Sequence, residues 1–210
     1  MGRYSFADRA ARKEPMTQEE ALKTINEAQN LPLQALFSVL WVWGPRINEA
    51  IRLEKRDITI LTHEIKVRMP LSKKRKHHRK TIFEKYGIRY TDNQIHIDTD
   101  THTKTNTEAY HFLKANLETP GLAPLLEYLK QAPDGKLFRF SIRTAQRKLH
   151  QANPNTSTHW FRHTRATRLA ERTDDILAMV DWFGWADARP AFIYVQMTGK
   201  QAARLADKVD

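Results

Sequence analysis

Apolar residues in the first part of the chain recur at the spacing of helices. Thr17-x-x-Glu20 is a capping box, in which each side chain bonds a free backbone N–H of the other residue, and it predicts a helix that ends near Asn30. Apolar residues three and four positions apart predict a second helix, which the pair Gly44-Pro45 ends. A short amphipathic helix is then predicted over residues 46–53.

The pattern next changes to that of extended chain. Residues 58–67 carry β-branched side chains that partly alternate with polar ones, which favours strands. Residues 94–98 (QIHID) predict a further strand, because the two isoleucines fall on one face. Residues 99–107 are rich in Thr and Asn and predict a turn, and residues 110–113 predict the returning strand.

Helical spacing dominates the second half of the chain. The predicted helices cover residues 122–129, 142–151, 159–171 and 174–183, a short segment that begins at Pro190, and residues 198–208. Gly184 occupies the position after a helix that glycine prefers. The sequence therefore predicts an α+β fold, mostly α-helical, with a small antiparallel β-sheet inserted in its first half.

The charge of the chain indicates a polyanionic partner. Its 210 residues carry a formal net charge of +11, and such an excess is most often matched by nucleic acid. The absence of cysteine excludes disulfides and thiolate chemistry. No apolar stretch is long enough to span a membrane and the polar start is not a signal peptide, so a cytoplasmic location is expected. Residues 1–16 are interpreted as a basic arm or linker, and residues 17–210 as one domain.

Arg46, His159, Arg162 and Tyr194 suit chemistry on a phosphodiester. Three positions separate His159 from Arg162, so both side chains lie on one face of a predicted helix. Planar guanidinium groups match phosphate oxygens and neutralise the charge of a pentavalent transition state. A tyrosine phenol is able to attack phosphorus and form a covalent phosphotyrosine. The leaving sugar oxygen needs a proton, which a lysine on a turn supplies as general acid.

Taken singly, each of these residues is more often structural than catalytic, and only the joint pattern favours an enzyme. The pattern comprises Arg46-x-x-Glu49, His159-x-x-Arg162-His163-Thr164, Gly184-Trp185 and Tyr194, in this order. It resembles the tyrosine recombinase, or phage integrase, family, and the segment THWFRHTRATRLAE resembles the helix that carries that family's second arginine. The resemblance covers residues 17–208 and implies the DNA breaking–rejoining fold of the family's catalytic domain.

The resemblance implies a role for each matching residue. Arg46 and Arg162 would clamp the non-bridging oxygens of the scissile phosphate, and His159 would hydrogen-bond to the same phosphate. Tyr194 would attack and leave a 3′-phosphotyrosyl link and a free 5′-hydroxyl. Trp185 stands where many members have His, and its indole N–H donates a hydrogen bond without being able to transfer a proton.

Supporting residues and partners follow from the same resemblance. Glu49 would support Arg46, and His163 would lie in the same supporting layer. No metal and no other cofactor is implied, because the bond energy is kept in the phosphotyrosine. The implied partners are double-stranded DNA and further copies of the chain, assembled as a tetramer on paired sites. The implied reaction is the integration or excision of a mobile element such as a virus or plasmid.

The general acid has two candidate positions. Family members carry it in a β-hairpin turn, often within a Thr-Lys-Thr-like segment, and Thr103-Lys104-Thr105 follows a predicted strand. Lys73 or Lys74 is the competitor, because its interval from Arg46 is nearer the family norm. The basic run at residues 71–80 is either a solvated loop or a contact with the DNA backbone. The candidate DNA-binding residues are Lys73, Lys74, Arg75, Lys76, Arg79 and Arg165.

Other functions remain open at this point. A type IB topoisomerase or a telomere-resolving enzyme shares the same chemistry, and a DNA-binding remnant of an integrase would keep the fold without the activity. Family members usually carry an N-terminal helical domain of about a hundred residues, a typical domain size. That domain clasps the other face of the DNA, and we expect it to be absent from this chain.

Overall fold

The computed structural model describes residues 14–71, 110–173 and 175–197. In chain order its helices and strands are α1 (Gln18–Asn26), α2 (Leu31–Trp43), α3 (Ile47–Ala50), β1 (Ile58–Ile60), β2 (Glu64–Pro70), β3 (Tyr110–Asn116), α4 (Ala123–Gln131), α5 (Ile142–Ala152), α6 (Thr158–Arg172), α7 (Ile176–Phe183) and α8 (Arg189–Met197). None of the helices in these ranges is long and apolar enough to cross a membrane. The predicted mostly helical α+β architecture is confirmed.

Side-chain caps fix where the first two helices begin. Glu20 N donates to Thr17 Oγ1 at 3.1 Å and Thr17 N donates to Glu20 Oε2 at 2.8 Å, which completes the predicted capping box. Helix α1 ends before the predicted Asn30, because Asn30 instead caps α2 by accepting from Leu33 N at 3.1 Å. Helix α2 is buried over most of its length and ends at Gly44, as predicted.

Helix α3 is a single turn and is shorter than the predicted 46–53. Leu137 N donates to Leu53 O at 3.0 Å, and Lys55 N donates to Gly135 O at 2.9 Å. Leu53 itself is fully buried. Hydrogen bonds to a distant segment thus take the backbone out of the helix, which is a tertiary effect that overrides local helix propensity.

Three antiparallel strands form the sheet, in the order β1-β2-β3. Val67 in the middle strand is paired with Ile58 on one side and with Leu113 on the other. The strands predicted around residues 58–67 and from residue 110 are confirmed, although β3 continues to Asn116. The strand predicted at 94–98 and the turn at 99–107 lie outside the described residues.

Helix α6 is central to the second half, because an apolar core lies on each side of it. On one side Phe161 stacks on Phe37 of α2, with ring centroids 6.5 Å apart. On the other side Ala166 and Ala170 belong to a second core together with residues of α7 and α8. The helices predicted between residues 122 and 183 and from Pro190 are confirmed, whereas that at 198–208 lies outside the described residues.

The last residues of the predicted arm contact α6. Met16 is buried, and its backbone N–H donates to Thr164 Oγ1 at 2.9 Å. Trp160 Nε1 donates to Glu14 O at 3.0 Å. Residues 14–16 therefore pack on the same helix that carries His159 and Arg162, while residues 1–13 lie outside the described residues.

Gly44 is expected to be sensitive to substitution. Its φ is +64°, and a Cβ there would come within 2.9 Å of Arg165 Cβ. We expect Gly44→Ala to lower the free energy of unfolding by about 3 kcal/mol, since left-handed strain and overpacking each cost on the order of 1–3 kcal/mol. Denaturant unfolding measures this loss. Gly135→Ala is the control, because Gly135 also has a positive φ, of +85°, but a Cβ added there would meet no atom within 4 Å. Equal losses in the two variants would contradict the steric part of this explanation.

Candidate active site

Arg46 is held by a buried carboxylate directly after the end of α2. Arg46 N donates to Glu49 Oε2 at 2.7 Å, and Arg46 Nη1 donates to Glu49 Oε1 at 3.0 Å. The side chain of Glu49 is 0% exposed, whereas that of Arg46 is 36% exposed. The carboxylate therefore fixes a guanidinium group that remains partly open to solvent.

Arg162 on α6 is held by the carboxyl ends of two other helices. Its Nη1 donates to Gly44 O at 2.9 Å and its Nη2 donates to Phe183 O at 2.8 Å. Gly44 ends α2, and Phe183 is the last residue of α7. Terminal carbonyls lack partners within their own helix and carry the negative end of its dipole, so they stabilise a buried cation.

Arg162 remains positively charged although its side chain is buried. Loss of solvent, and then the nearby charge of Arg46, lower the pKa of Arg162 to about 10, while Glu49 opposes this. A pKa of about 10 leaves the guanidinium protonated at neutral pH. The buried end of α6 is therefore cationic under ordinary conditions.

The two guanidinium groups meet at one carboxylate. Arg162 Nη1 lies 4.0 Å from Glu49 Oε2, and Arg46 Nη1 lies 3.0 Å from the other oxygen of Glu49. Two cations thus face a single anion, and the cluster keeps a net positive charge. Each guanidinium has five N–H donors, so donors remain for an anionic ligand.

His159 lies one turn before Arg162 on α6 and is exposed. Partial loss of solvent around the ring, and then the charges of Arg162 and Arg46, lower the pKa of His159. Both arginines thus contribute to the electrostatic environment of this imidazole. Of the three side chains predicted to contact a phosphate, Arg46 and Arg162 meet at Glu49, and His159 precedes Arg162 by one turn of the same helix.

Tyr194 lies inside the second core and is only 3% exposed. Its ring stacks on Trp185, with centroids 5.8 Å apart and planes 7° from parallel. Trp185 in turn stacks on Phe183, with ring centroids 4.6 Å apart. The guanidinium carbon of Arg162 lies 5.7 Å from the ring centroid of Trp185 and 4.9 Å from that of Phe183. An aromatic column thus joins the phenol to the buried cation.

The environment of Tyr194 acts on its ionisation in two opposite directions. Burial raises the pKa of Tyr194 to about 12, and the charge of Arg162 lowers it in part. The phenol is therefore protonated in this structure. Any reaction through its oxygen requires that the proton be removed.

His163 contacts the phenol directly. Its Nδ1 lies 3.4 Å from Tyr194 Oη, and the two ring centroids are 5.5 Å apart. The imidazole is buried, as is the phenol. Sequence reasoning placed His163 in a supporting layer behind the phosphate, and the structure brings it to the oxygen atom of the predicted nucleophile.

Arg165 was predicted to bind DNA, and the structure places it between α2 and α7. Its guanidinium stacks over the ring of Trp182 at 5.1 Å, and its Nε is buried with no hydrogen-bond partner among the described residues. Burial, and then Arg172 and Arg168, lower the pKa of Arg165 to about 10. Its DNA contact stays a prediction.

The remaining predicted residues lie outside the described part of the chain. They are the general-acid candidate Lys104, its competitors Lys73 and Lys74, and the basic residues Arg75, Lys76 and Arg79. The described residues contain no group of three or more His, Asp or Glu side chains placed to hold a metal ion.

Sequence reasoning missed the backbone acceptors of the site. Gly44 O and Phe183 O take two of the hydrogen bonds of Arg162, and Gly44 was interpreted only as a helix stop. A carbonyl oxygen has no residue-type signature. The sequence did contain one signal: both acceptors lie at predicted helix ends, where the last carbonyl groups have no hydrogen-bond donor within their own helix.

The arrangement has the parts needed for nucleophilic attack on a phosphodiester. Arg46 and Arg162 present cationic donors at Glu49, and the phenol of Tyr194 stacks on Trp185, whose ring lies under the guanidinium of Arg162. Cations aimed at a transferring phosphoryl group stabilise the charge that develops on it. Such a site suits chemistry on an anionic ester.

Glu49→Gln tests the carboxylate that joins the arginines. The neutral amide loses the charge that faces Arg46 and Arg162, so we expect nucleophilic activity to fall by about 10-fold or more and the free energy of unfolding by about 2 kcal/mol. Unfolding measurements combined with an activity assay check this. Glu64→Gln is the matched control, since Glu64 pairs with Lys66 and Lys114 at the surface, where ion pairs contribute little. A melting curve unchanged by Glu49→Gln would contradict a supporting role for this carboxylate.

A family model and several solved structures match the chain. Residues 14–201 match the model of the phage integrase family. A structure of the XerH site-specific recombinase bound to difH substrate has a TM-score of 0.55 at 16% identity, covering 91% of this chain and 52% of XerH. This chain therefore spans about half the length of XerH. No curated protein sequence gives a significant match.

Two further structures share the fold. XerA recombinase has a TM-score of 0.55 at 18% identity, covering 96% of this chain and 66% of XerA. The catalytic domain of bacteriophage HP1 integrase has a TM-score of 0.52 at 14% identity, covering 87% of each chain. Together these matches confirm the fold that the sequence predicted.

Proposed function

We propose that this chain, which belongs to the phage integrase family, is a site-specific DNA recombinase that cuts and rejoins strands through Tyr194. One observation carries the proposal above all others: the guanidinium groups of Arg46 and Arg162 share the buried carboxylate of Glu49, and Arg162 also acts on the phenol of Tyr194. These contacts join residues that are far apart in the chain, which supports a cationic site with Tyr194 as its nucleophile.

In the proposed reaction Tyr194 Oη attacks the scissile phosphorus. Arg46 and Arg162 hold the non-bridging oxygens, and His159 donates a hydrogen bond to one of them, which stabilises the pentavalent transition state. The bond from phosphorus to the 5′-oxygen breaks and a 3′-phosphotyrosyl link remains. Attack by the 5′-hydroxyl of a partner strand then reverses these steps, so no external energy source is needed.

The leaving 5′-oxygen receives its proton from a lysine in this proposal. Lys104 is preferred because of its Thr-Lys-Thr context, and Lys73 or Lys74 is the alternative. The basic run at residues 71–80 and Arg165 would contact the DNA backbone, where positive charge releases counterions. Trp185 would donate its indole N–H without taking part in proton transfer.

The proposal extends to how the enzyme is used. Exchange of strands requires two sites, and we propose a homotetramer on paired sites of double-stranded DNA. Integration or excision of a mobile element, virus or plasmid, in the cytoplasm of a prokaryotic host is the setting that fits such a reaction. An additional DNA-clasping domain supplied from outside residues 17–210 would complete the grip on the duplex.

Covalent trapping tests the central step. Nicked duplexes with randomised sequence around the nick are mixed with the protein, because loss of the short strand after cleavage prevents religation. Denaturing gels separate covalent adducts, whose DNA is sequenced and whose peptide is identified by mass spectrometry. We expect the adduct on Tyr194. Absence of any adduct, or attachment to another residue, would overturn the proposal.

Topological assays separate the alternative functions. A type IB topoisomerase relaxes supercoiled DNA of any sequence as a monomer, and a telomere-resolving enzyme gives hairpin ends from one site. The recombinase requires two copies of the trapped sequence on its substrate plasmid. Relaxation of a plasmid without that sequence, at the rate seen with two copies, would favour the topoisomerase. Strong binding without any adduct would favour the inactive remnant.

DNA binding by this chain is expected to depend strongly on salt. Contacts with phosphates release counterions, so the logarithm of the association constant falls linearly with the logarithm of salt concentration. A protein with a net charge of +11 should therefore lose on the order of 10³-fold in affinity between 50 and 200 mM salt. Fluorescence anisotropy with the trapped duplex measures this, and a slope near zero would contradict binding through phosphates.

A further inference from the structure

The site needs a group that removes the proton from Tyr194. Burial raises the pKa of this phenol to about 12, so the phenol is protonated at pH 7. The proposed reaction makes the phenol oxygen a nucleophile, and a protonated phenol is a poor one. A proton acceptor in contact with Oη therefore governs how fast the attack occurs.

Two neighbours that the motif supplies do not fill this role. Trp185 stacks on the phenol ring, but an indole has only a donor N–H and accepts no proton. His159 is exposed at the start of α6, and its proposed role is to donate a hydrogen bond to the phosphate. Within the described residues, the side chain that hydrogen-bonds to Tyr194 Oη is His163.

We propose that His163 is a catalytic residue whose Nδ1 accepts the proton of Tyr194 Oη as the phenol attacks the phosphorus. The proposal rests on the proposed function and adds to it a named proton acceptor. It requires the neutral imidazole tautomer with its hydrogen on Nε2, so that Nδ1 is free to accept. The 3.4 Å separation is long for a hydrogen bond and shortens when substrate aligns the phenol.

The step balances in both directions. On cleavage the Oη–H bond breaks, the proton moves to His163 Nδ1, the Oη–P bond forms, and the P–O5′ bond breaks while the general acid protonates the 5′-oxygen. On rejoining, the 5′-hydroxyl returns its proton to the group that served as general acid while its oxygen attacks phosphorus, and the Oη–P bond breaks. The imidazolium then returns the proton to Tyr194. His163 is thus neutral before and after each complete cycle.

The packing around the two rings supports this assignment. His163 lies on α6 and Tyr194 on α8, and both helices border the second core, which sets the relative position of the rings. Arg162 adjoins His163 on α6 and acts electrostatically on the phenol, lowering the pKa that burial raises. The proton therefore passes to His163 while Arg162 stabilises the negative oxygen that remains.

The test compares single-turnover cleavage of the trapped duplex by wild type and His163→Asn. Asparagine retains a polar contact with Oη, but its amide does not take up a proton. We expect cleavage to slow by about 100-fold or more, the lower end of what general base catalysis contributes. His150→Asn, on an exposed part of α5, is the matched control and should leave the rate unchanged. If His163→Asn melts at a markedly lower temperature than the wild type, His163→Gln replaces it in the same comparison.

Two chemical variations separate proton acceptance from a structural role. Replacement of Tyr194 by 3-fluorotyrosine, whose phenol ionises more readily, should recover part of the rate lost in His163→Asn. A substrate with sulfur in place of the 5′-bridging oxygen, which leaves without a general acid, should not recover it. Rescue by the sulfur substrate would instead assign His163 to protonation of the leaving group and overturn the proposal.

The remaining outcomes are also decisive. Cleavage by His163→Asn at the wild-type rate overturns the inference but leaves the proposed function intact. A loss that 3-fluorotyrosine does not relieve assigns His163 a packing role and overturns the inference as well. Failure of the wild type to form any adduct overturns the proposed function, and this inference falls with it.

Discussion

Tyr194→Phe is expected to abolish the covalent DNA adduct, with a loss on the order of 10⁴-fold or more, the scale seen when a covalent nucleophile is removed. Phenylalanine keeps the ring that stacks on Trp185 and loses only the oxygen that contacts His163. The free energy of unfolding should therefore change by only about 1 kcal/mol. DNA affinity should be unchanged, because no phosphate contact is assigned to the phenol.

A second buried tyrosine provides the matched control. Tyr128 is also buried, and its hydroxyl donates to Leu137 O at 2.6 Å, away from the proposed site. Tyr128→Phe should lower the melting temperature about as much as Tyr194→Phe and leave adduct formation intact. Covalent adduct in equal amounts from Tyr194→Phe and wild type would show that Tyr194 is not the nucleophile.

Arg162→Ala is expected to reduce both activity and stability. The variant removes a donor from Gly44 O and from Phe183 O and one of the two cations that face Glu49. Breaking such a buried set costs about 3–5 kcal/mol of unfolding free energy. Loss of one charge that stabilises the transition state should lower the cleavage rate by about 10²–10³-fold.

Arg162→Lys separates these two effects. Lysine keeps the charge but presents no planar fork, so it does not reach the carbonyls at the ends of α2 and α7 together. We expect it to recover part of the stability and little of the activity. Cleavage rates are compared at a temperature where both variants are fully folded by circular dichroism. Wild-type cleavage by either variant would show that Arg162 is a structural residue only.

The two positions also affect each other. Arg162 lowers the pKa of Tyr194, and so its removal leaves the larger, opposite effect of burial on that pKa unopposed. In the folded state the pKa of Tyr194 is raised, and the stability that the protonated phenol contributes is present below pH 10 and lost as the pH rises toward 12. The proposed nucleophile is therefore held in its protonated form in this structure.

Much of this protein was determined by the sequence alone. The capping box of Thr17 and Glu20, the stop at Gly44 and the β-branched run near Ile58 are local signals, and each corresponds to a helix or strand boundary in the structure. The types, order and spacing of residues from Arg46 to Tyr194 resembled the motif of the phage integrase family, and the family match over residues 14–201 confirms that resemblance.

Only the tertiary structure decided how those residues are held. Arg162 bonds carbonyl oxygens at Gly44 and Phe183, and any residue type supplies a carbonyl. The contact between His163 and Tyr194 depends on how α8 packs across α6, which is set by the apolar cores between helices. The local sequence pattern determines on which face of a helix a side chain lies. Which other helix packs against that face depends on the burial of apolar surface over the whole chain, and a local pattern does not contain that information.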